Sequence, residues 1–221
     1  MRIYQTLLGA YGPQRWWPTT LDGHASPSYH GRPLCARGKF EVAVGAVLTQ
    51  NTNWGNVERA LGNLLKADLL APERIMGVDD DLLLAAIRPS GYYNIKLRRL
   101  RSLTAWWRAH VKDGKLSLAG RPMTFWRESL LEVKGVGRET ADSILLYCFD
   151  LPTFVIDAYT KRIMARHFGT PSDVDYDELR SLFLDTLPED AALFKEFHAL
   201  FVQLAKEACR KAVCLEACPL R

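Results

Sequence analysis

Apolar residues recur along the chain with a helical period. In the segments Phe40–Leu48 and Val57–Leu65 they fall three or four positions apart, which places them on one face of a helix. Residues 141–148 and 193–204 repeat this pattern, and no segment shows the sustained alternation of a strand. Because glycine and proline turns separate these segments, we predict an all-α protein of about ten helices. The polar stretch Asp22–Gly38 fits either a surface loop or a hinge between lobes.

The composition is that of a folded protein. Of the 221 residues 48% are hydrophobic, which is enough for a substantial core. The 29 lysines and arginines exceed the 25 acidic residues by a net charge of +4, too little by itself to identify a nucleic-acid-binding protein. The longest apolar candidate for a membrane span, Val42–Leu48, is far too short, so we expect a cytoplasmic protein without a membrane partner.

The five cysteines are Cys35, Cys148, Cys209, Cys214 and Cys218. Their number is odd, and three of them lie in the last thirteen residues. This is not a disulfide framework. It indicates a reducing compartment, where clustered thiols more often bind a metal.

Residues 131–142 contain the most informative motif of the chain. Gly135 and Gly137 flank Val136, and an amphipathic helix follows. A turn with two glycines can point several backbone N–H groups the same way, and a helix N-terminus adds unpaired donors and partial positive charge. Such a cradle binds an anion. The spacing is not that of a dinucleotide site, so a DNA phosphodiester is the better ligand; a plain helix–turn–helix connection is the alternative.

Three motifs in order resemble the helix-hairpin-helix DNA glycosylase superfamily, in its endonuclease III branch. They are the helix Phe40–Asn51, the stretch L-x-x-x-G-V-G-x-x-T-A of residues 131–141, and Val155-Ile156-Asp157. The resemblance covers roughly residues 36–221 and implies two helical lobes with DNA in the cleft between them. It assigns residues 36–151 to a helical barrel lobe, and residues 1–35 with 152–221 to the second lobe.

The resemblance also implies which residues contact DNA. Gln50 would fill the space vacated by a flipped base, although the polar end of its helix also fits a plain C-cap. The basic groups in 96–101 and 161–166 would face phosphates; solvated helix faces are the alternative. The full set is Gln50, Asn51, Lys134, Gly135, Val136, Gly137, Arg138, Glu139, Thr140 and Lys161.

Asp157 matches the family's catalytic aspartate. Breaking an N-glycosidic bond builds positive charge on the sugar, so a carboxylate beside C1′ stabilises the transition state and can orient the attacking water. The other interpretation is that Asp157 caps the following helix. The two roles are compatible, because a capping aspartate is held rigidly.

Glu139 departs from the endonuclease III pattern, which has a lysine at this position that attacks C1′ and gives a lyase step. A carboxylate cannot form the imine. We therefore predict a monofunctional glycosylase that uses water. Lys134 and Lys161 are amines nearby in the sequence that leave a weak lyase open, and both also fit phosphate contacts or solvated charges.

The cluster Trp16-Trp17-Pro18, with Phe40 further on, looks like the base pocket of the 3-methyladenine DNA glycosylase III branch. An N-alkylated purine is cationic, so an aromatic slot attracts it more strongly than a normal base. It is also a good leaving group and needs no strong general acid. The alternative is that the tryptophans are core anchors, and we expect this of one of the two.

The cysteine tail matches the family only in part. The endonuclease III branch binds a [4Fe-4S] cluster through four cysteines spaced C-x6-C-x2-C-x5-C, whereas this tail is Cys209-x4-Cys214-x3-Cys218 and lacks the fourth. A cluster with a non-cysteine fourth ligand, a zinc site and a set of free thiols all remain open.

The expected function is therefore excision of an alkylated purine, first of all 3-methyladenine, from damaged double-stranded DNA by a monomeric, nucleoid-associated enzyme. One rival is an endonuclease III-like enzyme for oxidised pyrimidines or mismatches. The other is a non-catalytic DNA-binding or damage-sensing module. Asp157 discriminates, since a pure binder does not need it.

Overall fold

The computed structural model describes residues 1–117 and 120–221, and the chain divides into two compact units. The central unit is Trp17–Phe149, and the terminal unit combines Met1–Trp16 with Asp150–Arg221. The sequence assigned residues 17–35 to the lobe of the chain ends, whereas the structure places them in the central unit. The reason is local, because the Thr20 hydroxyl and backbone N–H donate to the buried carboxylate of Glu41 at 2.7 to 3.1 Å.

The regular secondary structure of the described residues is almost entirely helical, and the prediction of an all-α fold is confirmed. The one exception among them is an antiparallel pair of two-residue strands, in which Val111 pairs with Leu116. In chain order the elements are α1 (Arg2–Tyr11), α2 (Ala36–Leu48), α3 (Trp54–Lys66), α4 (Pro72–Gly77), α5 (Asp80–Ile87), a 3-10 helix (Arg88–Ser90), α6 (Tyr93–His110), β1 (Val111–Lys112), β2 (Lys115–Leu116), α7 (Met123–Leu131), α8 (Arg138–Phe149), α9 (Ala158–Phe168), α10 (Tyr176–Thr186) and α11 (Ala191–Glu207).

The core of the central unit is built around α2 and α8, which pack against each other. Both helices are buried along most of their length, α2 from Phe40 to Leu48 and α8 from Thr140 to Cys148. Burial on all sides explains why their sequences are apolar or small at nearly every position. The helix that starts at the glycine hairpin is therefore a fixed part of the core.

The terminal unit has an aromatic core. The rings of Phe154 and Phe183 stack with centroids 3.9 Å apart, and Phe197 and Phe201 on α11 pack around them. The buried segment Phe154–Ile156 leads directly into Asp157. This packing fixes the backbone from which the Asp157 side chain projects.

No helix among the described residues combines the length and the apolar character that crossing a bilayer requires.

Candidate functional site

The glycine hairpin connects α7 to α8 in the central unit. Gly135 has φ +91°, a conformation that L side chains rarely adopt, and a Cβ atom there would overlap with Cγ of Arg99. Below the turn, the Arg127 guanidinium donates two hydrogen bonds of 3.0 and 3.2 Å to the buried Asp142 carboxylate, which ties α7 to α8. The glycine is therefore required both by the backbone conformation and by the close approach of Arg99.

Gln50 lies two residues after the end of α2 and binds the hairpin directly. Its side-chain amide donates to the backbone carbonyl of Gly135 at 3.1 Å and to the hydroxyl of Thr140 at 2.9 Å. Its carbonyl oxygen accepts from the Arg99 guanidinium. In this structure Gln50 thus stabilises the hairpin, and its role in a DNA gap stays a prediction. The adjacent Asn51 is exposed and has φ +55°.

The hairpin divides into buried and exposed positions. Val136 and Thr140 are buried and anchor it. The first turn of α8 contributes backbone N–H groups that have no acceptor within the helix. Together with the basic side chains, these form a surface suited to a phosphate. The exposed residues at this surface are Lys134, Gly137, Arg138 and Glu139.

Two residues of the basic run on α6, Lys96 and Arg101, are engaged within the protein, whereas Arg98 is exposed and its phosphate contact stays a prediction. Lys96 is 1% exposed, and its ammonium donates to the carbonyls of Leu48 and Ser90 at 2.7 and 2.6 Å. Burial, with the nearby charge of Arg99, lowers the pKa of Lys96 to about 8. Arg101 donates to backbone carbonyls of the α4–α5 region. These cations hold the unit together because helix and turn carbonyls need donors once buried.

Asp157 is the N-cap of α9 in the terminal unit, as one interpretation of the sequence predicted. Its Oδ1 atom accepts from the backbone N–H of Thr160 at 2.7 Å, and 14% of the side chain is exposed. Oδ2 lies 3.6 Å from Nε2 of His198. Burial works to raise the pKa of Asp157, but the hydrogen bond and charge of His198, with the Thr160 bonds, lower it overall. The carboxyl group is therefore ionised at neutral pH.

His198 was not identified from the sequence. It lies in the apolar stripe of α11 beside Phe197, where a lone histidine is easily mistaken for a core residue. The ring of Trp16 packs edge-on against it, with ring centroids 5.8 Å apart, and the Lys206 ammonium lies 5.9 Å from the Trp16 centroid. Trp16, His198 and Asp157 thus form one contiguous group within the terminal unit.

The other residues predicted for a base pocket belong to the core of the central unit. Phe40 is 1% exposed and packs edge-on against Trp107, with centroids 5.4 Å apart. Trp17 is 8% exposed and packs against Trp54 and Tyr147. Both rings are enclosed by other side chains. The assignment of Phe40 and Trp17 to a base pocket is therefore corrected: both are core residues, the alternative considered above for one of the two tryptophans.

Pro18 follows Trp17 and is also buried. Its side chain has no open face for a base, so this assignment is corrected in the same way. The half-buried Trp16 is the residue of the predicted pocket that keeps accessible surface.

The basic residues of α9 are engaged with the backbone of the terminal unit. The Lys161 ammonium donates to the carbonyl of Val174 at 2.6 Å, and the Arg162 guanidinium donates to the carbonyl of Cys209 at 2.9 Å. Arg166 donates to the carbonyls of Arg210 and Lys211. They line a shallow groove of about 570 Å³. Arg162 and Arg166 thus hold the C-terminal tail against α9, and Lys161 ties α9 to the segment before α10.

The tail brings the three C-terminal cysteines to one imidazole, that of His167 at the end of α9. Sγ of Cys214 lies 3.6 Å and Sγ of Cys218 lies 3.8 Å from Nε2 of this histidine. The ligand atoms of His167, Cys209 and Cys214 all lie within 4.8 Å of one another. Burial lowers the pKa of His167, which favours the neutral ring that can bind a metal. The sequence predicted the three thiols but not the histidine, which lies far from them along the chain.

Known proteins share both the sequence and the fold. Over its whole length the chain is 41% identical to a candidate DNA repair glycosylase, MJ1434, of Methanocaldococcus jannaschii, covering 93% of that protein. It is 26% identical over 188 residues to an endonuclease III of Sulfolobus acidocaldarius, covering 84% of this chain and 81% of that one.

Among solved structures, the H. pylori 3-methyladenine DNA glycosylase MagIII bound to 1,N6-ethenoadenine superposes with a TM-score of 0.66 and 28% identity, covering 93% of this chain and 96% of that one. An endonuclease III–DNA complex shares the fold with a TM-score of 0.76 at 18% identity, covering 99% and 90% of the two chains. The sequence profile described as "HhH-GPD superfamily base excision DNA repair protein" matches residues 44–189. The chain belongs to this HhH-GPD superfamily of base excision DNA repair glycosylases.

Proposed function

We propose that the protein is a monofunctional DNA glycosylase that excises alkylated purines, with 3-methyladenine as the first candidate, from duplex DNA. The observation that carries the proposal is the ionised carboxylate of Asp157, held by His198 and the N-terminus of α9. The likeness to MagIII, a 3-methyladenine glycosylase, supports the substrate class.

The reaction needs an extruded base, which costs a few kcal/mol of unpairing and unstacking. An alkylated purine carries a positive charge, so it leaves as a neutral base with the electrons of the C1′–N bond. The sugar becomes cationic as that bond breaks, and the Asp157 carboxylate stabilises it. Water then adds its oxygen to C1′ and releases a proton, which leaves an abasic site.

Trp16 is the aromatic residue best placed to recognise such a base. Its ring already lies 5.9 Å from the Lys206 ammonium and contacts His198, the partner of Asp157. A ring that accepts a cation in this way also favours a cationic purine over a neutral one. The ring that would recognise the base, Trp16, is therefore joined to the Asp157 carboxylate through one side chain, that of His198.

The absence of a lyase step follows from the amines available. Glu139 occupies the position of the lysine nucleophile in the endonuclease III pattern, and a carboxylate forms no imine. The Lys161 ammonium donates a hydrogen bond to the Val174 carbonyl at 2.6 Å, so this amine is engaged with the backbone and not directed at a substrate.

An endonuclease III-like activity is the second candidate, because relatives named endonuclease III and thymine-DNA glycosylase are 26% and 27% identical. It predicts release of oxidised pyrimidines or mismatched thymine, together with a covalent enzyme–DNA adduct under borohydride. The alkylpurine proposal predicts neither. A non-catalytic damage-sensing module would bind damaged duplex and release no base.

The test is incubation of the purified full chain with methylated duplex DNA, followed by identification of the bases released. Parallel duplexes carry an oxidised pyrimidine or a G·T mismatch, and the Asp157→Asn variant is the matched control. We expect free 3-methyladenine from wild type, at least 100-fold slower release from the variant, and no borohydride adduct. No released alkylpurine, or equal release by the variant, would overturn the proposal; light scattering would check that the active species is a monomer.

A further inference from the structure

Four side chains of the terminal unit converge on one small volume. They are His167 at the end of α9 and the cysteines of the tail, Cys209, Cys214 and Cys218. We infer that they bind a single tetrahedral zinc ion, a Cys3His site with His167 as the fourth ligand, in place of the [4Fe-4S] cluster implied by the family resemblance.

Two of the distances between ligand atoms, both from His167, match those around one zinc ion. Bonds of about 2.3 Å from zinc to sulfur and about 2.0–2.1 Å to nitrogen, at tetrahedral angles, put neighbouring ligand atoms about 3.5–3.8 Å apart. Nε2 of His167 lies 3.6 Å from Sγ of Cys214 and 3.8 Å from Sγ of Cys218. The ligand atoms of His167, Cys209 and Cys214 are all within 4.8 Å of one another.

The same distances do not fit an iron–sulfur cube. In a [4Fe-4S] cluster each protein ligand binds a different iron, so the cube of irons and sulfides must lie between the ligand atoms and hold them well apart. The group around His167 is too compact to enclose it. The residues therefore do not fit the cluster, and no step of the proposed reaction depends on one.

Groups next to the four side chains are placed to orient the histidine ring and to balance the charge of the thiolates. The His167 ring hydrogen-bonds to the backbone of Leu220. Because Nε2 faces the thiols, donation to this carbonyl falls to Nδ1, which leaves the Nε2 lone pair directed at the ion. Arg166 donates to Sγ of Cys209 at 3.3 Å. Three thiolates around a dication leave one excess negative charge, which this guanidinium offsets.

The local backbone also suits a closed structural site. Cys209 and Cys214 form an isolated antiparallel bridge, and the Cys218 N–H donates to the Leu215 carbonyl at 3.0 Å. The tail thus folds back on itself and returns to α9. With four protein ligands the ion has no open position for water, so its role is to fasten the tail.

Metal analysis of the full chain tests the inference. Cells are grown with both iron and zinc supplied, and the purified protein is examined by elemental mass spectrometry and visible absorption. We expect about one zinc per chain and no absorption band of an iron–sulfur cluster. His167→Ala and Cys214→Ser should each lose at least nine-tenths of the zinc. His24→Ala and Cys35→Ser, at exposed positions, are the matched controls and should retain it.

Cobalt exchange gives a readout that does not depend on the variants folding. Wild-type protein in which Co²⁺ replaces the ion should show intense visible bands of tetrahedral geometry with thiolate-to-cobalt charge transfer. Four irons with four sulfides per chain, purification without any metal, or full zinc retention by a folded His167→Ala protein would each overturn the inference.

Discussion

Nε2 of His198 lies 3.6 Å from Oδ2 of Asp157, so the proposed catalytic carboxylate has an imidazole partner on a different helix. The other carboxylate oxygen, Oδ1, accepts from the first turn of α9 at 2.7 Å. The two oxygens are thus held by separate elements of the terminal unit. This arrangement fixes both the orientation and the ionisation state of the group.

Removal of His198 should move the acid limb of the pH–rate profile. Without its hydrogen bond and charge, burial dominates and the pKa of Asp157 rises, so the carboxylate is protonated at higher pH. For His198→Ala we expect about 10- to 100-fold slower base release near neutral pH, from the loss of the imidazole that faces the carboxylate, and an acid limb displaced upward. Single-turnover rates measured across pH would show both.

His198→Gln is the informative companion variant. It fills similar volume and retains a donor, so it should recover part of the rate. His24→Ala, at an exposed position, should leave the profile unchanged. An unaltered acid limb in a folded His198→Ala protein would contradict the positioning role.

The two roles of Asp157 can be separated by substitution. Asparagine caps a helix about as well as aspartate, whereas alanine costs about 1 kcal/mol at a cap. We expect Asp157→Asn to lose activity and only the stability that comes from the charge, and Asp157→Ala to lose the stability of the cap as well. Urea unfolding and base release on the same preparations would make the comparison; an active Asp157→Asn protein would reject catalysis by this carboxylate.

Asp157 also makes a pH-dependent contribution to stability. Its folded-state pKa is lowered, so its stabilising contribution is present above the unfolded value of about 3.9 and is lost as pH falls through the folded value. The stability advantage of wild type over Asp157→Asn should therefore be constant near neutral pH and shrink below about pH 4. A constant advantage down to strongly acidic pH would show that the charge contributes nothing.

The two hairpin glycines should respond differently to alanine. Gly135→Ala is strained by its φ of +91° and by contact with Arg99, so we expect about 1–3 kcal/mol of destabilisation. At Gly137 the φ angle is ordinary and no atom lies within 4 Å of the position that an alanine Cβ would take, so stability should change by less than about 0.5 kcal/mol.

DNA binding should nevertheless weaken in Gly137→Ala, by about tenfold, because the methyl group would stand where a phosphate approaches the helix amides. Fluorescence anisotropy with duplex DNA would measure it. Gly77→Ala, another exposed glycine with open space around it, is the matched control. Equal affinity of the Gly137 variant and wild type would argue that the hairpin is a structural connection and not a phosphate site.

Lys96 should give the central unit an alkaline dependence of stability. Its pKa is about 8 in the folded protein and about 10.4 when unfolded, so the unfolded chain binds more protons between these values. Stability relative to Lys96→Met should therefore rise with pH across that window, by about 2 kcal/mol. The exposed Lys66→Met change should show no such trend. A flat difference between wild type and Lys96→Met would contradict the buried charge.

Periodicity and motif order predicted the helical fold, the hairpin and the capping role of Asp157, because these depend on residues near one another in the chain. The residues that were misassigned or missed are those whose contacts lie far away along the chain. Lys96 belongs to a basic run in the sequence, yet the carbonyls it binds are on other elements. His198 looks apolar by position, and its partner is 41 residues away in the chain.

The tryptophan pair shows the same limit. Trp16 and Trp17 look like one aromatic motif, but the boundary between the two units falls between them. Trp17 fills the core of the central unit, and Trp16 contacts His198 in the terminal unit. Adjacency in sequence therefore gave no information on which ring keeps an accessible face.

The hydrogen bond from Gln50 to the Gly135 carbonyl joins residues separated by 85 positions. The conformation of the glycine turn therefore depends on residues outside the turn. A graft of residues 123–149 onto another scaffold would transfer the glycines without the amide and guanidinium that hold them in place. The hairpin in this protein therefore keeps its conformation only when the rest of the central unit is folded. On partial unfolding we expect DNA binding to be lost before the helix content falls.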